Sequence, residues 1–217
     1  MDLDERLSRM EVRHLAESSA ASPERSLRIL TMDDVHRAVD HIRPLAMAQQ
    51  VRWCVVGGAA VMIHLTRHGV PPAAARASHD VDIAADRLLE LPQQAPRWPL
   101  LTGGYRLDLA GTTVDWIVRR PDSLYPLYQR MVASATEAVP GVLVPPAACI
   151  VATKILLSAS AIRPKDQTDL RLLLGSGAAG VQETVGFLER TIASVSLLRG
   201  AIQRLHGYAR DLAITAA

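Results

Sequence analysis

Val51–Asp82 reads VRWCVVGGAAVMIHLTRHGVPPAAARASHDVD, and the order of events along it decides the fold. Val51 to Val56 is an apolar run with the composition of a buried strand, broken at Gly57-Gly58. Ala59 to His68 continues with helical character, and Val70 to Ala77 is loop-like because Pro71-Pro72 stops any helix. His79 to Ala84 is a second strand carrying two aspartates one residue apart. In an extended chain Asp80 and Asp82 project from one face about 6.8 Å apart, while Val81 and Ile83 take the opposite, core-facing side.

This order, strand, Gly-Gly, helix, Asp-x-Asp, points to chemistry on a nucleotide. A glycine pair at a strand-to-helix turn lets backbone approach a phosphate closely, with the N–H groups of the helix N-terminus directed at it. Neither half of the pattern is specific alone, since Gly-Gly is often only a turn and Asp-x-Asp is common in loops. Their order and short separation carry the signal.

Working outward, Thr31 followed by Asp34 resembles a capping box that opens a helix through Val35, Val39, Ile42 and Leu45. Leu3, Leu7, Met10 and Leu15 fall near helical spacing among charged residues, which predicts an amphipathic helix over residues 1 to 19. Downstream, Arg87 to Leu91 reads as a short helical turn before a Pro-rich connection ending at Gly103-Gly104. Tyr105 to Leu109 and Thr112 to Val118 are β-like runs joined by Ala110-Gly111, a hairpin. Asp115 stands between Val114 and Trp116 in the second run, where an ordinary strand rarely carries a carboxylate, and is the third candidate acid. Pro121 to Ala133 reads as a helix and Val139 to Val144 as a last strand. Four helices then follow: one around Ile150 to Leu157, Pro164 to Leu174, Val181 to Ala193 and Leu197 to Ile214.

The chain has 217 residues, 49% of them apolar, enough for one substantial core. The expected class is α/β (α+β), a mixed sheet core with a C-terminal helical bundle. Its parts are N-terminal helices over 1–48, the α/β core over 49–144 and a helical region over 145–217 that completes the cleft. A formal charge of +2 gives no strong electrostatic case for duplex nucleic acid or an anionic membrane. Cys54 and Cys149 lack metal-ligand spacing and read as buried thiols of a reducing compartment. The charged N-terminus MDLDERLSRME is unlike a signal peptide, and Pro145-Pro146 and Lys154 interrupt the longest apolar stretch, which argues against a membrane span. A cytoplasmic location follows as an expectation.

Three carboxylates gathered by a sheet repel one another unless cations neutralise them, so Asp80, Asp82 and Asp115 imply Mg²⁺ or Mn²⁺, with a nucleoside triphosphate as the companion ligand. The pattern VVGGAAVMIHL, RASHDVDIA, TTVDWIV and ATKILLSASAIRPKDQTDLRLLL resembles the nucleotidyltransferase superfamily, with its polymerase-beta-like core, and in particular the bacterial AbiEii/AbiGii-type toxins. The match spans roughly Val51 to Leu174.

The resemblance implies that Gly57 and Gly58 face the phosphates, that Asp80, Asp82 and Asp115 bind metal and act in catalysis, and that Lys154 neutralises the triphosphate. Lys165, Asp166 and Asp169 form a second charged cluster lining the cleft, and Arg76 and Ser78 lie at the nucleotide. Ser78 stands where the family usually has Thr, keeping the hydroxyl, and Ala59 offers none after the glycines. The implied activity is transfer of a nucleoside monophosphate to a hydroxyl, with RNA such as a tRNA 3′ end as acceptor and a cognate antitoxin as partner. Two alternatives stand beside it: a transferase acting on a small antibiotic-like molecule, and a catalytically weak antitoxin or binding module.

Plainer roles exist for several of these residues. Lys154 also fits a lysine snorkelling at a helix edge. Asp166 and Asp169 have Arg163, Lys165 and Arg171 as nearby ion-pair partners, and Arg76 has Asp80. His64 and His68, four apart with no third ligand, read as core or surface residues, and Trp53, Trp98 and Trp116 as core or rim.

Overall fold

Five strands form one mixed sheet in a computed structural model that describes residues 29–71, 78–91, 97–109, 111–157 and 163–212. The amphipathic helix expected over residues 1 to 19 lies outside the described residues, as does Arg76. Helix α1 (Met32–Ala48) begins at Thr31, whose hydroxyl accepts from the Asp34 N–H while the Asp34 carboxylate accepts from the Thr31 N–H. That reciprocal cap satisfies two of the N–H groups a helix start leaves open. Val35, Ala38, Val39, Ile42 and Ala46 recur at helical spacing and are buried.

Strand β1 (Trp53–Val55) is wholly buried and runs directly into α2 (Gly57–Arg67). It pairs antiparallel with β2 (Asp80–Ala85), which pairs parallel with β5 (Thr112–Ile117). The hairpin of β4 (Gly104–Leu109) and β5 turns at Gly111, whose φ of 79° suits glycine, and β3 (Arg97–Pro99) closes the far edge. The order across the sheet is β1-β2-β5-β4-β3. Val81 and Ile83 are fully buried while Asp80 and Asp82 are half-buried, so β2 alternates as its sequence predicts.

Helix α3 (Tyr125–Ser134) precedes a separate hairpin, β6 (Thr136–Val139) and β7 (Val142–Val144). Helices α4 (Ala147–Leu157), α5 (Pro164–Gly175), α6 (Val181–Thr191) and α7 (Val195–Asp211) follow. One continuous apolar core runs from Leu30 to Ala209, and α2 packs on β2 and against α4 and α5. Among the described residues no helix is long and apolar enough to cross a membrane.

Three local expectations are corrected. The single strand read over Val139 to Val144 is split into β6 and β7, because Pro140 lacks a ladder donor and Gly141 turns the chain at φ 75°. Arg87 to Leu91 is not helical. The segment lies extended and is clipped to α1's end, with the Gln49 side chain donating to the Glu90 carbonyl and accepting from the Glu90 N–H. Strand β3, three residues long and exposed throughout, sits where only a proline-rich connection was expected. Pro99 is tolerated there because an edge strand leaves one side of its ladder unpaired.

Cys54 and Cys149 are free and buried, as expected. Burial pushes both thiols up, that of Cys149 to about 12. The His64 imidazole is buried with Nε2 2.8 Å from the Pro145 carbonyl, and His68 Nδ1 is 2.9 Å from the His64 carbonyl. Each thus answers a backbone oxygen, the plain role read for the pair.

Candidate metal and phosphate site

Strand register assembles the acids. Asp82 pairs with Asp115 across β2 and β5, and Asp115 pairs with Arg106 across β5 and β4. Directly paired residues share a sheet face, so one row runs Asp82, Asp115, Arg106. Asp80 lies two residues from Asp82 on that same face. Each of Asp80, Asp82 and Asp115 offers a carboxylate oxygen, and these atoms lie within 4.8 Å of one another.

Arg106 is the member that the motif pattern did not single out. Its Nε donates to Asp115 Oδ1 at 2.6 Å and its Nη2 to Asp115 Oδ2 at 2.8 Å, a bidentate pair, with Nη2 3.5 Å from Asp80 Oδ2. Asp115's hydrogen bonds, joined by the charges of all three acids, hold the guanidinium firmly protonated against its burial. A sequence signal for it existed. Counting outward from a two-residue turn at Ala110-Gly111 pairs 109 with 112 and therefore 106 with 115.

Among the described residues the arginine's bonds go to Asp115 and Asp80, and the cations acting on Asp82 do so through space. Burial first, then the negative charges of Asp80 and Asp115, push the Asp82 carboxyl up to about 7, against the pull of Lys165 and Lys154. A carboxylate held that far from its ordinary range is a place where a divalent cation gains energy by binding.

Gly57 supplies the second independent feature. Its φ is 61°, and a Cβ built there would lie 1.8 Å from Asp82 Oδ2. The Asp82 carboxylate therefore rests directly over bare backbone, and only glycine permits both the left-handed conformation and the approach. The N-cap of α2 is Val56, which offers no side-chain acceptor to the first turn, so the N–H groups of the helix start lack that partner. Donor set, spacing and cradle together fit a hard divalent cation with a phosphate beside it.

Lys154 draws the second charged cluster together. Lys154 is buried, and its Nζ lies 2.8 Å from Asp166 Oδ1 and 2.7 Å from Asp169 Oδ2, while Arg163 Nε donates to Asp166 Oδ2 at 2.8 Å. An ammonium inside a helix buried on all sides is stable only when carboxylates meet it. The network therefore ties α4 to α5 rather than presenting Lys154 to solvent. Burial pushes the Asp166 carboxyl up, but its bond to Lys154 and the charges of Lys154 and Arg163 outweigh this and hold it below the usual range. Lys165, exposed in the first turn of α5, is the lysine that faces outward.

Ser78 lies just ahead of β2 and is buried. Its hydroxyl donates to the Asp80 carbonyl at 3.3 Å, and its own carbonyl accepts from the Leu30 N–H at 2.8 Å. The hydroxyl is thus engaged with the strand that bears the acids.

No family model and no curated protein matches the chain. Among solved structures it is similar to an antigenic nucleotidyltransferase-like protein from Paracoccidioides brasiliensis. The TM-score is 0.45 at 15% identity, covering 86% of this chain and 93% of that one.

Proposed function

We propose that the protein is a metal-dependent nucleotidyltransferase that moves a nucleoside monophosphate from a nucleoside triphosphate to a hydroxyl acceptor, releasing pyrophosphate. The observation that carries this reading is the Asp82 carboxyl, gathered with Asp80 and Asp115 into one cluster and seated on the bare backbone of Gly57. An acid cluster alone is common, whereas one built onto a glycine turn at an uncapped helix start is shaped for phosphate and cation together.

Asp80 and Asp82 would hold Mg²⁺ or Mn²⁺, with Asp115 completing the set. When bound, such an ion neutralises phosphate charge and eases deprotonation of a hydroxyl. The chain supplies the rest. The N–H groups of Gly57 and Gly58 at the start of α2 receive phosphate oxygens, and Lys165 adds positive charge at the mouth. The acceptor oxygen forms its bond to the α-phosphorus as the α–β anhydride bond breaks, pyrophosphate takes the leaving electron pair, and an oxygen of Asp115 accepts the hydroxyl proton. The Lys154–Asp166–Asp169 network holds α4 and α5 in place around the cleft.

The resemblance to AbiEii/AbiGii-type toxins extends the proposal to an RNA acceptor such as a tRNA 3′ end, with a cognate antitoxin. A second reading, a nucleotide-binding module with weak turnover, is favoured by one observation, the bidentate hold of Arg106 on Asp115. The test is incubation of the purified protein with each labelled triphosphate and Mg²⁺, with and without total tRNA. Label transferred to tRNA, abolished by Asp80→Ala, supports the transferase. Triphosphate bound without pyrophosphate release supports the module, and no triphosphate binding at all refutes both.

A further inference from the structure

The row of paired residues does not end at Arg106. Trp98 on β3 is the register partner of Arg106 on β4, so Asp82, Asp115, Arg106 and Trp98 lie side by side on one face of four successive strands. Strands lie about 4.8 Å apart, which sets the Trp98 backbone roughly 10 Å from that of Asp115, two strands away. From Asp115 outward exposure rises, from 8% there through half-buried Arg106 to Trp98 at 48%. The other tryptophans, Trp53 and Trp116, are buried in the core. A lone exposed tryptophan is ordinary. One that ends a polar row leading out of an acid cluster is not explained by packing.

We propose that Trp98 is the stacking surface for the terminal unpaired nucleobase of a single-stranded RNA acceptor, with Arg106 beside it. This deepens the transferase reading and rests on it. Attacking and leaving oxygens lie roughly in line across the phosphorus. The phosphate cradle at Gly57 is at one end of the row, so pyrophosphate leaves toward that end and the acceptor hydroxyl enters from the other. That other end is the Arg106 and Trp98 side. A flat indole offers its face to any base at that distance, next to an Arg106 guanidinium that stays bound to Asp115. A saturated aminocyclitol or sugar acceptor has no ring system to use such a surface, which separates the proposed acceptor from the small-molecule alternative.

The experiment uses the full chain, a short single-stranded RNA oligonucleotide with a free 3′ end, and Mn²⁺. Trp98 is the solvent-exposed member of the three tryptophans, so intrinsic fluorescence reports contact with it, and oligonucleotide binding should quench the exposed component. Trp98→Ala should weaken oligonucleotide affinity about 5- to 100-fold, Trp98→Phe should retain most of it, and Mn²⁺ binding by electron paramagnetic resonance checks that the acid cluster is intact. Equal affinity in wild type and Trp98→Ala overturns the proposal, as does wild type that binds Mn²⁺ but no oligonucleotide. Neither of those outcomes touches the transferase reading, which falls instead if Asp82→Asn binds Mn²⁺ as tightly as wild type.

Discussion

Gly57→Ala tests the contact on which the site reading depends. The new Cβ would sit 1.8 Å from Asp82 Oδ2, 2.7 Å from its Cγ and 2.9 Å from its Cβ. Ordinary contact between such atoms is about 3.5 Å, so the carboxylate must retreat by well over an ångström. Rotation about the Asp82 side chain frees Oδ2 and Cγ but takes the oxygen out of the cluster it shares with Asp80 and Asp115, and it leaves Cβ at 2.9 Å, so the backbone must shift as well. The backbone adds its own cost, since an L-residue held at φ 61° loses about 1–2 kcal/mol. The expected outcome is a split: melting falls by at least the roughly 2–8 °C of the backbone cost, given about 2–4 °C per kcal/mol for a chain of this size, while Mn²⁺ affinity falls at least tenfold. Repeating the substitution in Asp82→Ala removes the contacts with Oδ2 and Cγ and leaves the backbone cost and the Cβ contact, so the thermal penalty of Gly57→Ala should shrink there. Calorimetric melts and Mn²⁺ titrations on the four proteins of this cycle measure the coupling. Wild-type Mn²⁺ affinity in Gly57→Ala, or an identical penalty in both backgrounds, refutes the claim that glycine is there to seat the carboxylate.

Three further outcomes follow from the same geometry. Arg106→Gln frees Asp115 from its built-in counter-ion, so Mn²⁺ should bind several-fold more tightly while the metal-free protein loses about 1.5–3 kcal/mol; unchanged Mn²⁺ affinity would mean the arginine does not compete for the acids. The Asp82 carboxyl is raised to about 7, above its unfolded range near 4, so the fold holds a proton there that the unfolded chain releases. Its stabilising contribution is full below about pH 4 and is lost progressively as pH rises from there to about 7. Without metal, the melting advantage of Asp82→Asn over wild type should therefore grow between pH 5 and pH 8, with Mn²⁺ restoring wild type at pH 8; a melting difference that does not vary with pH contradicts this. Lys154→Met removes the buried ammonium that both Asp166 and Asp169 meet, leaving Asp166 its bond to Arg163, and should cost about 3–5 kcal/mol, read by denaturant unfolding, whereas a loss under 1 kcal/mol would mean the carboxylates are satisfied by their other partners.

The elements with strong period were legible in the chain. The Thr31 cap, the alternation of β2, the hairpin around Gly111 and the four C-terminal helices all follow from local chemistry, and so does the shared face of Asp80 and Asp82. The meeting of these acids with Asp115 depends on β2 and β5 lying side by side in parallel, a pairing between strands distant in sequence that no local pattern states. Arg106 was hidden for a different reason: it carries no motif, and only the hairpin's register reveals its partner. Strand β3 was missed because three residues ending in proline read as a connection, so Trp98 looked like a rim residue instead of the end of a row. Lys154 was legible as an unusual charge, but its partners lie on the next helix, and burial decides that they take its hydrogen bonds.

The bond from the Leu30 N–H to the Ser78 carbonyl fastens the chain just ahead of α1 to the entrance of the strand that carries the first acid. Ser78 in turn is stitched to the Asp80 carbonyl. The backbone at Leu30 is therefore joined, through Ser78, to the residue that carries the first carboxylate of the cluster, which anchors the start of that strand from outside the sheet.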